Sequence, residues 1–227
     1  MKYLAVVIGL LFSPLLWAQN QVVFQPITSD IYDFIDELAN IGIVEINTAV
    51  KPWPRHWIAE RLQQANDHVD ELTKRQQKDL AFYLEDFGKE LNEGKDWDRR
   101  LDGYYHNSED FTLTVNPILG GNLFSNDSGS VYHRWNGAEA WAYVGQGLAF
   151  QASLRDNGVN EVLAEYNYLT PMQGGNYKLN QDGVAGGRSD WSEMKGAITY
   201  GWKWGSVGLV KDDFTWGNNY NGAMAPL

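Results

Sequence analysis

The apolar positions of this chain recur with two different periods. Between Thr28 and about Leu91 the spacing is helical. In SDIYDFIDELANIG, the residues Ile31, Phe34, Ile35, Leu38 and Ile41 make one stripe along a helix. Ser29 or Asp30 can cap its start, and Gly42 suits a left-handed stop. PRHWIAERLQQAN predicts a second helix, with Pro54 in the first turn and Trp57, Ile58, Leu62 and Ala65 on its stripe. TKRQQKDLAFYLEDFGKEL predicts a third. Thr73 and Gln76 have capping-box spacing, and Leu80, Tyr83, Leu84, Phe87 and Leu91 form the apolar face. Amphipathic helices of this kind must bury their stripes against one another or against a larger layer.

The charged, turn-rich stretch NEGKDWDRR ends that pattern, and beyond it the period becomes two. DFTLTVNPILGGN puts Phe111, Leu113 and Val115 on one face and Thr112, Thr114 and Asn116 on the other. GAEAWAYVGQGLAFQASLRDNG reads as two strands around Gly145-Gln146-Gly147. If Val144 faces Leu148, then Ala138, Ala140, Ala142, Phe150, Ala152 and Leu154 share an apolar face. Glu139, Trp141, Tyr143, Gln151, Ser153 and Arg155 share the polar one, where Glu139 and Arg155 can pair. A further hairpin is expected from Met194 to Asp213. With Gly205-Ser206 as its turn, Trp204 faces Val207 and Trp202 faces Leu209. Strict alternation leaves Lys211 on the apolar face unless a bulge near Val210 turns it inward.

Connections alternate in length: LFSNDSGSVYH is long, GQG short, the stretch from Asp156 to Asp190 very long, WGS short, and WGNNYNG longer again. Long outer loops alternating with short periplasmic turns are the rhythm of an outer-membrane β-barrel. Trp202 and Trp204, beside a short turn, suit its interfacial aromatic girdle. This count gives about five strands, against about eight in the smallest closed barrels. The expectation is therefore an N-terminal part of a longer barrel. The expected fold is α+β: a leader at residues 1–18, a periplasmic helical region at 19–100, and antiparallel hairpins at 101–227.

The start of the chain changes the compartment. Lys2, the apolar run YLAVVIGLLFSPLLW and then Ala18-Gln19 describe a secretory signal peptide cleaved after Ala18. Cysteine is absent, which excludes a disulfide scaffold. The formal charge is −11, and removing Lys2 leaves 17 basic against 29 acidic side chains, or −12. Nucleic acid is excluded as a partner on that balance. Ten Trp, twelve Tyr and 23 Gly in an exported chain point instead to β-structure with wet surfaces, to carbohydrate contact, or to both.

No sequence signature of catalysis is present. His56, His68, His106 and His133 form no zinc motif, and there is no G-x-S-x-G. The carboxylate pairs Glu109-Asp110 and Asp212-Asp213 are expected on solvated surface. No cofactor or metal is expected. The candidate ligand contacts are aromatic and amide side chains placed in the long loops: Trp135, Tyr177, Trp191, Trp216, Asn218 and Tyr220. Sugar C–H faces pack on such rings while amides and carboxylates bond the hydroxyls.

SDIYDFIDELANIGIV, RHWIAERL, the third helix and MKGAITYGWKWGSVGLVKDDFTWG together resemble the capsule assembly Wzi family of Gram-negative bacteria. The resemblance runs from about Ile27 to Asn221. It implies an outer-membrane barrel with a periplasmic helical N-terminus, in contact with outer-membrane lipid. It also implies non-enzymatic, lectin-like attachment of capsular or other surface polysaccharide. The alternatives are a general outer-membrane channel and a soluble periplasmic glycan-processing enzyme.

Overall fold

The computed structural model describes residues 21–91, 100–127, 129–160, 175–179 and 188–217, with backbone alone at 175–179, 188, 189 and 216. The leader expected at 1–18 lies outside the described residues. Helix α1 spans Ile31–Asn40, α2 Arg55–Asp67 and α3 Lys74–Phe87. Gly42 takes φ +79° at the end of α1, a conformation that glycine adopts without strain. Thr73 and Gln76 form the capping box of α3. Pro54 is extended and sits one position before α2, where its missing N–H is not needed.

The three stripes bury one another. Ile31, Ile35, Leu38, Ile58 and Leu62 are fully enclosed, and Trp53, Leu80 and Phe87 are 1% exposed. Enclosing a side chain of that size contributes roughly 1.5–3 kcal/mol, so these contacts alone give the helical unit a core of its own.

The second layer is an antiparallel sheet. Its strands are β2 (Tyr104–Asn107), β3 (Phe111–Asn126), β4 (Gly129–Val144), β5 (Leu148–Asn160), β6 (Gly175–Leu179), β7 (Arg188–Trp202) and β8 (Gly205–Lys211). The order is β2-β3-β4-β5-β7, and β6 and β8 both join the far side of β7 at different heights. The fold class is α+β. A separate two-stranded ladder joins β1 (Val50–Lys51) to β9 (Thr215–Trp216). No helix among the described residues is long and apolar enough to cross a membrane.

Val144 pairs with Leu148, which sets the expected apolar face of β4 and β5. Two expectations need correction, and a third point, the face of Lys211, is decided. Trp202 pairs with Gly205, so the β7–β8 turn is Lys203-Trp204 and not Gly205-Ser206. The shift is two residues on each strand, so the even residues of β7 keep their face. LFSNDSGSVYH is not a loop: β3 and β4 stay paired out to Asn126 and Gly129. Leu123 pairs there with Tyr132 and Phe124 with Val131, and Gly129 takes φ +140° where β4 begins. Lys211 pairs with Gly196 in unbroken register, with no bulge at Val210 to turn it inward.

The two faces of the sheet differ sharply. On the outward face, rows of paired residues climb from the short-turn end. The first is Phe111, Val144, Leu148, Tyr200 and Val207; the next is Leu113, Ala142, Phe150, Ile198 and Leu209. Val115, Ala140, Ala152 and Gly196 follow, ending on Lys211 at the sheet edge, then Pro117, Ala138, Leu154 and Met194. The row above them is Leu119, Asn136, Asp156 and Ser192, polar on β4, β5 and β7 but not on β3. Ile198, Val207 and Leu209 are 50%, 62% and 80% exposed.

The inward face carries the helical unit. An extended stretch from Gln21 crosses it: Gln21 Nε2 donates to Gly145 O at 2.7 Å, Phe24 N to Gln151 Oε1 at 2.6 Å, and Thr199 Oγ1 to Val22 O at 2.6 Å. Arg55 anchors the contact. Its guanidinium bonds Glu90 and Gln25, each at 2.7 Å, and lies 4.3 Å over Phe87 and 4.4 Å over Trp141. Tyr143 of β4 donates to Glu90 from the other side. Burial disfavours the Arg55 charge, but Asp86 and Glu90 outweigh it and raise its pKa above the usual arginine value.

Candidate functional site

Above the helical unit, the inward face carries an aromatic strip. It is built from three neighbouring strands. Trp135 of β4 pairs with Asn157 of β5, which pairs with Trp191 of β7. The two tryptophans are thus two strands apart, about 10 Å at the backbone. His133, one row above on the same face, fills the gap. Its ring lies 4.9 Å from Trp135 and 5.4 Å from Trp191, stacked on the latter at 25°.

Hydrogen bonds beneath hold the rings. Asn157, 3% exposed, turns its Nδ2 toward Glu193 Oε1 and Arg155 O, each at 3.4 Å. Its Oδ1 therefore accepts from His133 Nε2 at 3.0 Å. Trp191 Nε1 donates to the same Glu193 oxygen at 3.3 Å. Arg155 lies 4.7 Å over the Trp135 ring. Gly120 is opposite Trp135, and a Cβ there would come within 2.3 Å of the indole. The absence of that side chain lets Trp135 lie flat across the neighbouring strand, as aromatic residues do over strand glycines.

The structure brings Trp135 and Trp191 together, in strands and not in the loops where they were expected. The backbone of Tyr177 pairs with Trp191, on the same row. Trp216 does not join them: its backbone pairs with Val50, beside the helical unit. The chain leaves the sheet at Lys211 because Lys195 holds Asp212 at 2.9 Å and Asp213 at 2.6 Å, drawing it inward. Asn218 and Tyr220 lie outside the described residues. Asp212 is not on solvated surface as expected; its side chain is 1% exposed. Glu139 and Arg155 do not pair. Arg155 is committed to Trp135, while Glu139 faces a cavity with Arg55 and Arg100.

His133, Asn157 and Glu193 were not singled out in the sequence. The tight turn at Gly145 fixes the β4–β5 register and so already opposes Trp135 to Asn157. The β5–β7 register, set across a long connection, is what adds Trp191 and Glu193. No cluster of three or more metal-ligating side chains occurs among the described residues. The arrangement offers flat apolar rings next to a carboxylate, a guanidinium and an imidazole, which is the chemistry that holds a sugar ring. Comparison with protein-family models, with curated proteins and with solved structures returns no match to this chain.

Proposed function

We propose that this chain forms part of an outer-membrane β-barrel that holds surface polysaccharide without altering it chemically. The observation that carries the polysaccharide reading is the Trp135–His133–Trp191 strip on the inward face. Rings fixed by buried hydrogen bonds lose little freedom on binding, so stacking energy goes into affinity. The outward face supports the membrane reading. Its four rows, apolar but for Lys211 at the sheet edge, cover about 20 Å along a strand, near the ~25 Å apolar band of transmembrane barrels. An apolar face that large is rare on a soluble monomer. The helical unit then lies on the periplasmic side, against the short turns.

The resemblance to the capsule assembly Wzi family points to the same class, with capsular polysaccharide as the ligand. The test is affinity electrophoresis of the detergent-solubilised protein through gels containing capsular polysaccharide of the producing bacterium. Trp135→Ala and Trp191→Ala are each expected to weaken retardation by about twofold to tenfold, the loss of one stacked ring. Retardation by the polysaccharide that is unchanged in both variants contradicts the reading.

A further inference from the structure

Within the strip, the groups beneath one ring decide what its polar edge offers. Asn157 lies between Arg155 O and Glu193 Oε1 on one side and His133 on the other. A backbone carbonyl and a carboxylate only accept, so both hold the Asn157 Nδ2 donor and turn its Oδ1 toward the imidazole. Trp191 Nε1 donates to the same Glu193 oxygen and keeps that carboxylate in place. Oδ1 in turn draws the single proton of the neutral imidazole to Nε2, 3.0 Å away. Nδ1 is then a bare acceptor. It has no donor among the described residues and is not one of their enclosed polar atoms. His133 itself is half-buried, so this edge of the ring is open to a ligand on the strip.

We propose that His133 Nδ1 is the group by which the strip selects its ligand: the sugar residue seated beside it must bring a hydrogen-bond donor, a hydroxyl or an amide N–H, and not a carboxylate. This deepens the polysaccharide reading and rests on it. The ring geometry suits the role. The imidazole is tilted only 25° from the Trp191 indole. A pyranose stacked on an indole points its equatorial hydroxyls outward within its own layer. The Nδ1 lone pair lies in the imidazole plane, nearly parallel to that layer. A ligand with a donor there replaces the water on Nδ1, whereas one without a donor strips that water and leaves the nitrogen unpaired. A ligand carboxylate would meet the lone pair directly, with the Glu193 carboxylate behind it across Asn157. Asn157 and Glu193 act through His133 and are positioning residues.

The test labels histidine with nitrogen-15 in the full chain in detergent and reads the ring nitrogens by NMR in mildly alkaline buffer, where free imidazole is neutral. Protonated and bare ring nitrogens resonate far apart. The chain has four histidines, and the signals lost in His133→Phe identify the one concerned. His133 is expected to show Nε2 protonated and Nδ1 bare. Asn157→Leu, which removes the acceptor beneath, should give a mixture of the two tautomers. Short oligosaccharides from partial hydrolysis of the capsular polysaccharide of the producing bacterium should move the wild-type Nδ1 signal toward the protonated position. In affinity electrophoresis, His133→Phe keeps a ring in the stack and is expected to weaken retardation by about twofold to tenfold, the worth of one hydrogen bond. Adding Asn157→Leu removes the stranded amide oxygen and should not restore it. A protonated Nδ1 in the free wild type overturns the proposal, and so does a tautomer indifferent to Asn157→Leu. An Nδ1 signal unmoved by the oligosaccharides while the polysaccharide is still retarded also overturns it, as does full retardation in His133→Phe or in the double variant; in each of these cases the strip reading stands alone. The wild-type spectra carry the test where a variant fails to fold. If the wild type is not retarded at all, the polysaccharide reading falls and takes the proposal with it.

Discussion

Arg55→Leu removes the residue on which the helical unit and the sheet converge. The Arg55 and Glu90 side chains are 4% and 3% exposed, so screening by water is slight. The substitution leaves the Glu90 carboxylate buried with the Tyr143 hydroxyl as its donor. It also strips the cation from the faces of Phe87 and Trp141. Breaking a buried pair from one side costs about 3–5 kcal/mol. The two ring contacts belong to the same guanidinium and do not add in full. The expected loss is therefore about 3–5 kcal/mol in urea unfolding of the detergent-solubilised protein, followed by near-ultraviolet circular dichroism. Arg55→Leu combined with Glu90→Leu should recover much of it, because no charge is then stranded. A single-variant loss under about 1 kcal/mol, or a double variant no better than the single, refutes the view that stranded charge sets the cost.

Three further outcomes follow from the geometry. Gly120→Ala drives a methyl into the Trp135 indole and is expected to weaken polysaccharide retardation about as much as Trp135→Ala, twofold to tenfold, whereas Gly121→Ala, whose Cβ would meet backbone atoms at 3.4 and 3.9 Å, should not. Burial pushes the Asp86 carboxyl up, but Arg55 and Lys89 outweigh it and hold its pKa below the usual value. Its contribution is thus present above the unfolded carboxylate pKa and lost as pH falls through the folded one, so stability should drop as pH falls below about 4, and Asp86→Asn should flatten that slope. Trp204, 84% exposed at the β7–β8 turn, should lose fluorescence in brominated lipid, and Trp204→Phe should reduce the quenchable signal.

The helices were legible because each carries its own stripe and stop signals, as at Thr73 and Gly42. The β4–β5 register was legible because one tight turn determines it. The β7–β8 turn was misread because Gly205-Ser206 has the right composition, while the pairing energy of Tyr200 with Val207 and Ile198 with Leu209 selects a turn two residues earlier. Strand β2 escaped notice because Tyr104–Asn107 is short and its alternation weak. The inward turn after Lys211 could not be read at all. It depends on Lys195 meeting Asp212 and Asp213, a contact between residues far apart in sequence. The strip was half legible: two of its rings were chosen for their chemistry, but His133 and Asn157 matter only through their placement between them.

The placement of the sheet in a bilayer is the central claim, and β5 tests it most directly. Single cysteines can be introduced along Ala149–Arg155, since the chain has none of its own, and spin-labelled in reconstituted membranes. Collision with oxygen and with a water-soluble nickel complex then reports the surroundings of each label. Oxygen access that peaks at residues 150, 152 and 154 and falls at 151, 153 and 155 is the expected result, following the outward and inward faces. High nickel access at 150, 152 and 154, or no period of two, would contradict a lipid-facing wall.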